Sequence, residues 1–209
     1  KDNFHSDDAQ QLAVECTQRL YDALQDNSNS GGLLDRLFHK KLIIKGLYLW
    51  GGTGRGKTYL MDCFYECLSF KEKHRVHYHR FMRDIHDQLR RLPKSPDPLD
   101  MIARGMATKI RVLCLDEFHV HDIGDAMIMK GLLAALIDNG VTLVLTSNIA
   151  IDDLYANGLQ RDSFMPAIEL LNRHTDQVDL GSGTDFRAQV LEKNGCYYLF
   201  QNNDDGEQF

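Results

Sequence analysis

The chain has 209 residues, of which 43% are hydrophobic and 26% charged, enough to bury one core of ordinary size with a small appendage. A net charge of −6 argues against the broadly basic surface that non-specific nucleic-acid binders present. The longest apolar runs, such as residues 141–145, are far below the roughly 20 residues needed to cross a bilayer as a helix, so no transmembrane segment is expected.

In chain order, Leu12, Cys16, Leu20 and Leu24 recur at four-residue spacing behind Asp7 and Asp8, which predicts an amphipathic helix over residues 7–25. Residues 26–32, rich in Asn, Ser and Gly, read as a loop. Residues 46–50 (GLYLW) form a short apolar strand, and 57–68 a helix. Alternation predicts a strand over 75–81 and a helix over 81–92, after which Pro93, Pro96 and Pro98 break the chain. A helix over 99–108, a buried strand over 112–115, an apolar helix over 126–138 and a second buried strand over 141–145 follow. Short helices are expected at 153–156 and 163–172, then a strand at 177–180. Strands alternating with helices imply a parallel sheet covered by helices. Asn194-Gly195 between residues 188–193 and 196–200 signals a hairpin near the end.

Gly51-Gly52-Thr53-Gly54-Arg55-Gly56-Lys57-Thr58 fits the pattern G-x-x-x-x-G-K-[ST] in full, between an apolar strand and a helix, as a phosphate-binding loop requires. Glycines let backbone N–H groups face the phosphates. The helix N-terminus adds its positive end, Lys57 reaches the β- and γ-phosphates, and Thr58 ligates Mg²⁺. The bland alternative, a Gly-rich turn beside a lysine, explains neither the full pattern nor its context.

A second element, Val112-Leu113-Cys114-Leu115-Asp116-Glu117, ends a buried strand in two carboxylates. Asp116 suits the Mg²⁺ shell, and Glu117 can orient and deprotonate an attacking water. That pair favours hydrolysis over kinase chemistry, which must exclude water. The guanine-reading Asn-Lys-x-Asp motif does not occur, so ATP is the expected nucleotide. Thr146-Ser147-Asn148 ends another buried strand, on the same edge as Asp116 in a parallel sheet, where Asn148 can touch the γ-phosphate or the lytic water.

Cys16, Cys63, Cys67, Cys114 and Cys196 are odd in number and contain no Cys-x-x-Cys. They read as free thiols of a reducing compartment; with the ATP chemistry this points to the cytoplasm. His77 and His79, expected on one strand face, and His119 and His121 lack a companion set with zinc-ligand spacing and read as packing residues. A second reading makes His79 or Arg80 a switch that holds Glu117 away from water until a partner binds. Asp122 and Asp125 read as helix N-terminal charge, the alternative being a role in partner or neighbour contact.

Several strings together resemble the AFG-like ATPases of the AAA+ class: residues 46–58 (GLYLWGGTGRGKT), 76–82 (VHYHRFM), LDEF with DIGDAM, TSN with DLY, and 157–168 (NGLQRDSFMPAI). The likeness runs from about residue 8 to Arg187, and Gly-Arg-Gly in the loop with Met165-Pro166-Ala167 resembles the bacterial branch. It implies an α/β P-loop NTPase of AAA+ type, a parallel sheet flanked by helices, with an N-terminal helix and a C-terminal β-hairpin. The expected division is 1–32 helix and linker, 33–187 nucleotide-binding core, and 188–209 the start of a truncated C-terminal region. It also implies self-association into a ring, a hexamer, with Asn148 as sensor and Arg161 as a finger donated to the neighbour's ATP; Arg173 is the weaker candidate.

Ile149-Ala150-Ile151 stands where the family carries prolines, and Phe186 where it carries Tyr. A start at Lys1 and an end at Phe209 are read as those of a fragment whose lid and sensor-two arginine are missing or incomplete. The function implied is ATP hydrolysis that remodels a protein polymer in bacterial cell division, with FtsZ as the polymer. Alternatives are a helicase loader or nucleic-acid motor, a mitochondrial-type AFG-like ATPase in protein quality control, and a module that uses ATP as a switch without turnover.

Overall fold

Val112, Leu113, Cys114 and Leu115, or Leu143, Val144 and Leu145, are apolar without alternation because both of their faces are covered. The computed structural model describes residues 8–29, 43–93 and 95–181. Strands β1 (Gly46–Trp50), β2 (Lys73–His77), β3 (Val112–Asp116), β4 (Thr142–Ser147) and β5 (Thr175–Asp179) make one sheet in the order β2-β3-β4-β1-β5, with every neighbouring pair parallel. The helices are α1 (Asp8–Asn29), α2 (Lys57–Cys67), α3 (Tyr78–Arg91), α4 (Pro98–Ala107), α5 (Ile123–Asp138) and α6 (Met165–His174).

Side chains divide by the strand period of two. Leu47, Leu49, Val112, Cys114 and Val144 meet Cys16, Leu20 and Leu24 of α1 and Met61 and Phe64 of α2. Tyr48, Leu113, Leu115, Leu143 and Leu145 point the other way, into a core shared with α3, α4, α5 and α6. Helix α5 buries Met129, Leu132, Leu133, Leu136 and Ile137 there, each large side chain contributing about 1.5–3 kcal/mol. Two helix starts are fixed by carboxylates. Asp97 accepts from the Asp100 amide ahead of Pro98, and Asp122 from the Asp125 amide, each cap contributing about 1 kcal/mol.

Expected boundaries needed correction. The strand expected over 75–81 is β2, ending at His77, and Tyr78 already opens α3. Alternation through residues 77–81 is incidental, because Tyr78, Phe81, Met82 and Ile85 are buried at i, i+3, i+4 and i+7, a helical stripe. His77 and His79 therefore share no strand face, although their rings lie 6.1 Å apart. Helix α1 continues to Asn29, into the segment expected to be a loop. The helix expected at 153–156 is a 3₁₀ turn at Ile151–Asp153, and a second such turn at Arg161–Ser163 leads into α6. The hairpin expected at 188–200, Cys196 and Phe186 lie outside the described residues.

Candidate nucleotide and catalytic site

Because every strand runs the same way, the C-terminal ends of β1, β3 and β4 open on one edge, the usual ligand edge of a parallel α/β sheet. The loop after β1 takes positive φ at Gly51 (135°), Gly54 (76°) and Gly56 (80°), and Gly56 is the residue on which α2 begins. At Gly51 a Cβ would also lie 3.1 Å from the Gly181 carbonyl oxygen, so only glycine fits. Lys57 Nζ donates to the carbonyl oxygens of Gly51 and Gly52, 2.6 Å each. Burial, then the Arg55 guanidinium, pull the Lys57 pKa down, against the opposing pull of Glu117. Lys57 is thus a partly desolvated ammonium folded onto the carbonyls of its own loop. Thr58 is exposed in the first turn of α2.

Arg55 is buried, and its Nε donates to the carbonyl oxygens of Leu180 (2.9 Å) and Gly181 (3.1 Å). The Gly52 amide also reaches Gly181 O at 3.4 Å. The phosphate loop is thereby fastened to the end of β5, and Arg55 contributes to it through this clamp.

At the end of β3, Asp116 is 6% exposed and both its oxygens accept from Arg75 of β2, Oδ2 from Nε at 2.7 Å and Oδ1 from Nη2 at 3.3 Å. Arg75 Nη1 is also bonded to Asp62 of α2. Glu117 next to it has φ 57°, a left-handed conformation that costs an ordinary residue about 1–2 kcal/mol. Its amide donates to Thr146 Oγ1 (3.1 Å), the Phe118 amide to Thr146 O (2.7 Å), and Ser147 Oγ to Phe118 O (2.8 Å). These bonds hold the turn open so that the Glu117 carboxylate, its side chain 75% exposed, stands clear of the sheet. The histidine beside it is His77, whose Nδ1 lies 3.9 Å from Oε2, in the place expected for His79 or Arg80.

Asn148 is exposed at the end of β4 and, with Glu117, lines a cleft of about 860 Å³ between α3 and the loop that follows β3. Its walls include His86, bonded to Asp125 at 2.8 Å, and His119, packed 3.9 Å from His121 between ring centres. Burial, then His121, pull the His119 pKa down. Arg161 is placed in its own segment: Nη2 donates to Asp152 O at 2.5 Å, while Nε is buried without a partner. Sequence reasoning passed over Arg75, Asp62 and His77 as parts of this edge, and placed Thr146 and Ser147 on it without their bonds to Glu117 and Phe118. Only Thr146 and Ser147 carried a signal, as polar residues ending an apolar strand.

The P-loop fold of AAA+ type is shared with solved structures. AMPPCP-bound DnaA from Aquifex aeolicus superposes with a TM-score of 0.63 at 13% identity, covering 97% of this chain and 56% of that one. Among sequences, cell division protein ZapE of Escherichia coli strain K12 is 43% identical over 197 residues, 88% of this chain and 52% of that protein. Lactation elevated protein 1 homolog B of Danio rerio is 38% identical over 174 residues, 78% of this chain and 35% of that protein. The chain thus spans about half the length of ZapE. The family model described as AFG1-like ATPase matches residues 1–208, and on that match, with the P-loop and strand-end carboxylates in place, the chain belongs to the AFG1-like ATPase family.

Proposed function

We propose that this chain is the nucleotide-binding core of a Mg²⁺-dependent ATPase that remodels a protein polymer in bacterial cell division. The observation that carries the chemistry is the convergence of the phosphate loop, Asp116, Glu117 and Asn148 on one sheet edge. ATP lies with its phosphates along the 51–58 loop, where Lys57 leaves the Gly51 and Gly52 carbonyls for the β- and γ-phosphates. The Thr58 hydroxyl and Asp116 carboxylate are hard oxygen donors of the kind Mg²⁺ takes, and the ion when bound neutralises phosphate charge. Glu117 accepts a proton from the attacking water as its oxygen bonds to Pγ and the bond to the ADP oxygen breaks. Asn148 positions that water or the γ-phosphate.

Arg161 completes the site of a neighbouring subunit in a ring, which we take as a hexamer. Leu159, 72% exposed two residues before it, is suited to burial in such a contact. The proposed division remains 1–32, 33–187 and 188–209, and the proposed location is the cytoplasm. Among the described residues no helix is long and apolar enough to cross a membrane.

FtsZ is the proposed polymer; the likeness to a protein named for cell division supports this direction. Light scattering of FtsZ polymers with the full-length protein tests it, with ATP, without nucleotide, and with Glu117→Gln. ATP-dependent loss of polymer that fails in the variant is expected. Unchanged scattering in the presence of demonstrated ATP turnover would remove FtsZ as target, and absence of Mg²⁺-dependent phosphate release would remove the ATPase reading itself.

A further inference from the structure

Thr58 and Asp116 sit on different elements, so something must fix the distance between them if both are to serve one ion. We infer that Arg75 and Asp62, which lie outside the phosphate-loop and strand-end motifs, form a strut that positions these two residues for Mg²⁺; the inference rests on the metal-dependent reading above. Asp62 lies four residues after Thr58 on α2, hence one turn along the same helical face. Arg75 lies in β2 opposite Cys114, two residues short of the level of Asp116, whose register partner is His77. From there its guanidinium reaches Asp116 through Nε and Nη2 and Asp62 through Nη1. One rigid planar group thus joins the helix that carries Thr58 to the strand that carries Asp116.

Arg75 suits this task better than a lysine would, because its fork sets both the position and the plane of the carboxylate it holds. An ionised carboxylate offers about four acceptor sites; Arg75 uses one on each Asp116 oxygen, leaving acceptor capacity for the metal shell. A cation merely standing in for the ion would have the opposite effect, competing for Asp116. The second anchor at Asp62 argues for the strut, since it holds the guanidinium from the helix side. The side chains of Arg75, Asp116 and Asp62 are 18%, 8% and 48% exposed, so the strut can be weakened from its half-exposed end without opening the core.

The test is binding of a fluorescent ADP analogue to the full-length protein, titrated with Mg²⁺ and compared with EDTA. Wild type, Asp62→Asn, Arg75→Lys and Arg75→Gln are compared. Groups that orient a metal ligand typically change metal affinity by about 10–100-fold. The Mg²⁺ midpoint is expected to rise by about that factor in both Arg75 variants and by less in Asp62→Asn, with binding in EDTA unchanged. Arg75→Lys keeps the charge and removes the fork, so it separates geometry from electrostatics. Should Arg75→Gln fail to fold, Asp62→Asn and Arg75→Lys carry the test. An unmoved or lowered midpoint in those two variants, beside a Mg²⁺-dependent wild type, would overturn the strut alone. A wild type indifferent to Mg²⁺ would overturn the metal reading and the strut with it.

Discussion

Replacing Glu117 by glycine should stabilise the protein while stopping hydrolysis. At φ 57° a residue with a Cβ carries about 1–2 kcal/mol of strain. Glycine removes that strain but loses more chain entropy on folding, about 0.5–1 kcal/mol. Little else is forfeited, because the Glu117 side chain is 75% exposed and its contact with His77 Nδ1, at 3.9 Å, joins it to a side chain itself 56% exposed; such pairs contribute close to nothing. The net gain is therefore about 0–1.5 kcal/mol, or a rise of up to about 6 °C in Tm for a chain of this size. Glu117→Gln keeps the backbone strain and removes only the proposed base, so it is the proper reference. Both variants should bind ATP and neither should turn it over at a useful rate. Calorimetric melting and phosphate release, run on the same preparations, provide the assay. A Glu117→Gly protein that melts below Glu117→Gln would refute the claim that this turn stores strain for the carboxylate's sake.

Lys57→Ala should abolish nucleotide binding by isothermal titration, and retained micromolar ATP affinity would count against the phosphate-loop assignment. Arg161→Ala should keep nucleotide affinity but lose about 10³-fold or more in turnover, measured at a concentration where wild type is oligomeric; unchanged turnover there would remove the finger. Burial and then His121 lower the His119 pKa, so at this residue the unfolded chain binds more protons than the folded one as pH falls below the ordinary histidine value of about 6.5. The His119 contribution to stability is therefore full above that pH and declines below it. The decline in Tm between pH 7.5 and pH 5.5 should be smaller in His119→Gln, and an identical decline would show that other groups govern it.

Much of this edge could be read from the chain because its parts are local. The phosphate loop is eight contiguous residues, 51–58, between a strand and a helix, and the carboxylates at 116 and 117 follow an unbroken apolar strand. What escaped were the cross-strand partners. Arg75 bonds a residue 41 positions away, and no periodicity in its own strand marks it among the surface cations. Thr146 accepts from Glu117 across 29 residues, a contact that exists only because β3 and β4 are neighbours. The end of β2 was misplaced for a different reason: His77 and His79 mimic a strand's alternation, while the stripe from Tyr78 to Ile85 becomes visible only over two helical turns. Tertiary burial of that stripe overrides the local pattern.

The clamp at Arg55 has a mechanical consequence. The guanidinium holds the backbone at Leu180 and Gly181, and the Gly52 amide reaches Gly181 at 3.4 Å, so the 51–58 loop and the residues just after β5 are bonded directly to one another. A displacement of Gly181 would therefore be felt at the 51–58 loop through these bonds, and a change in that loop's shape would be felt at Gly181. Load and fuel would then share a fulcrum.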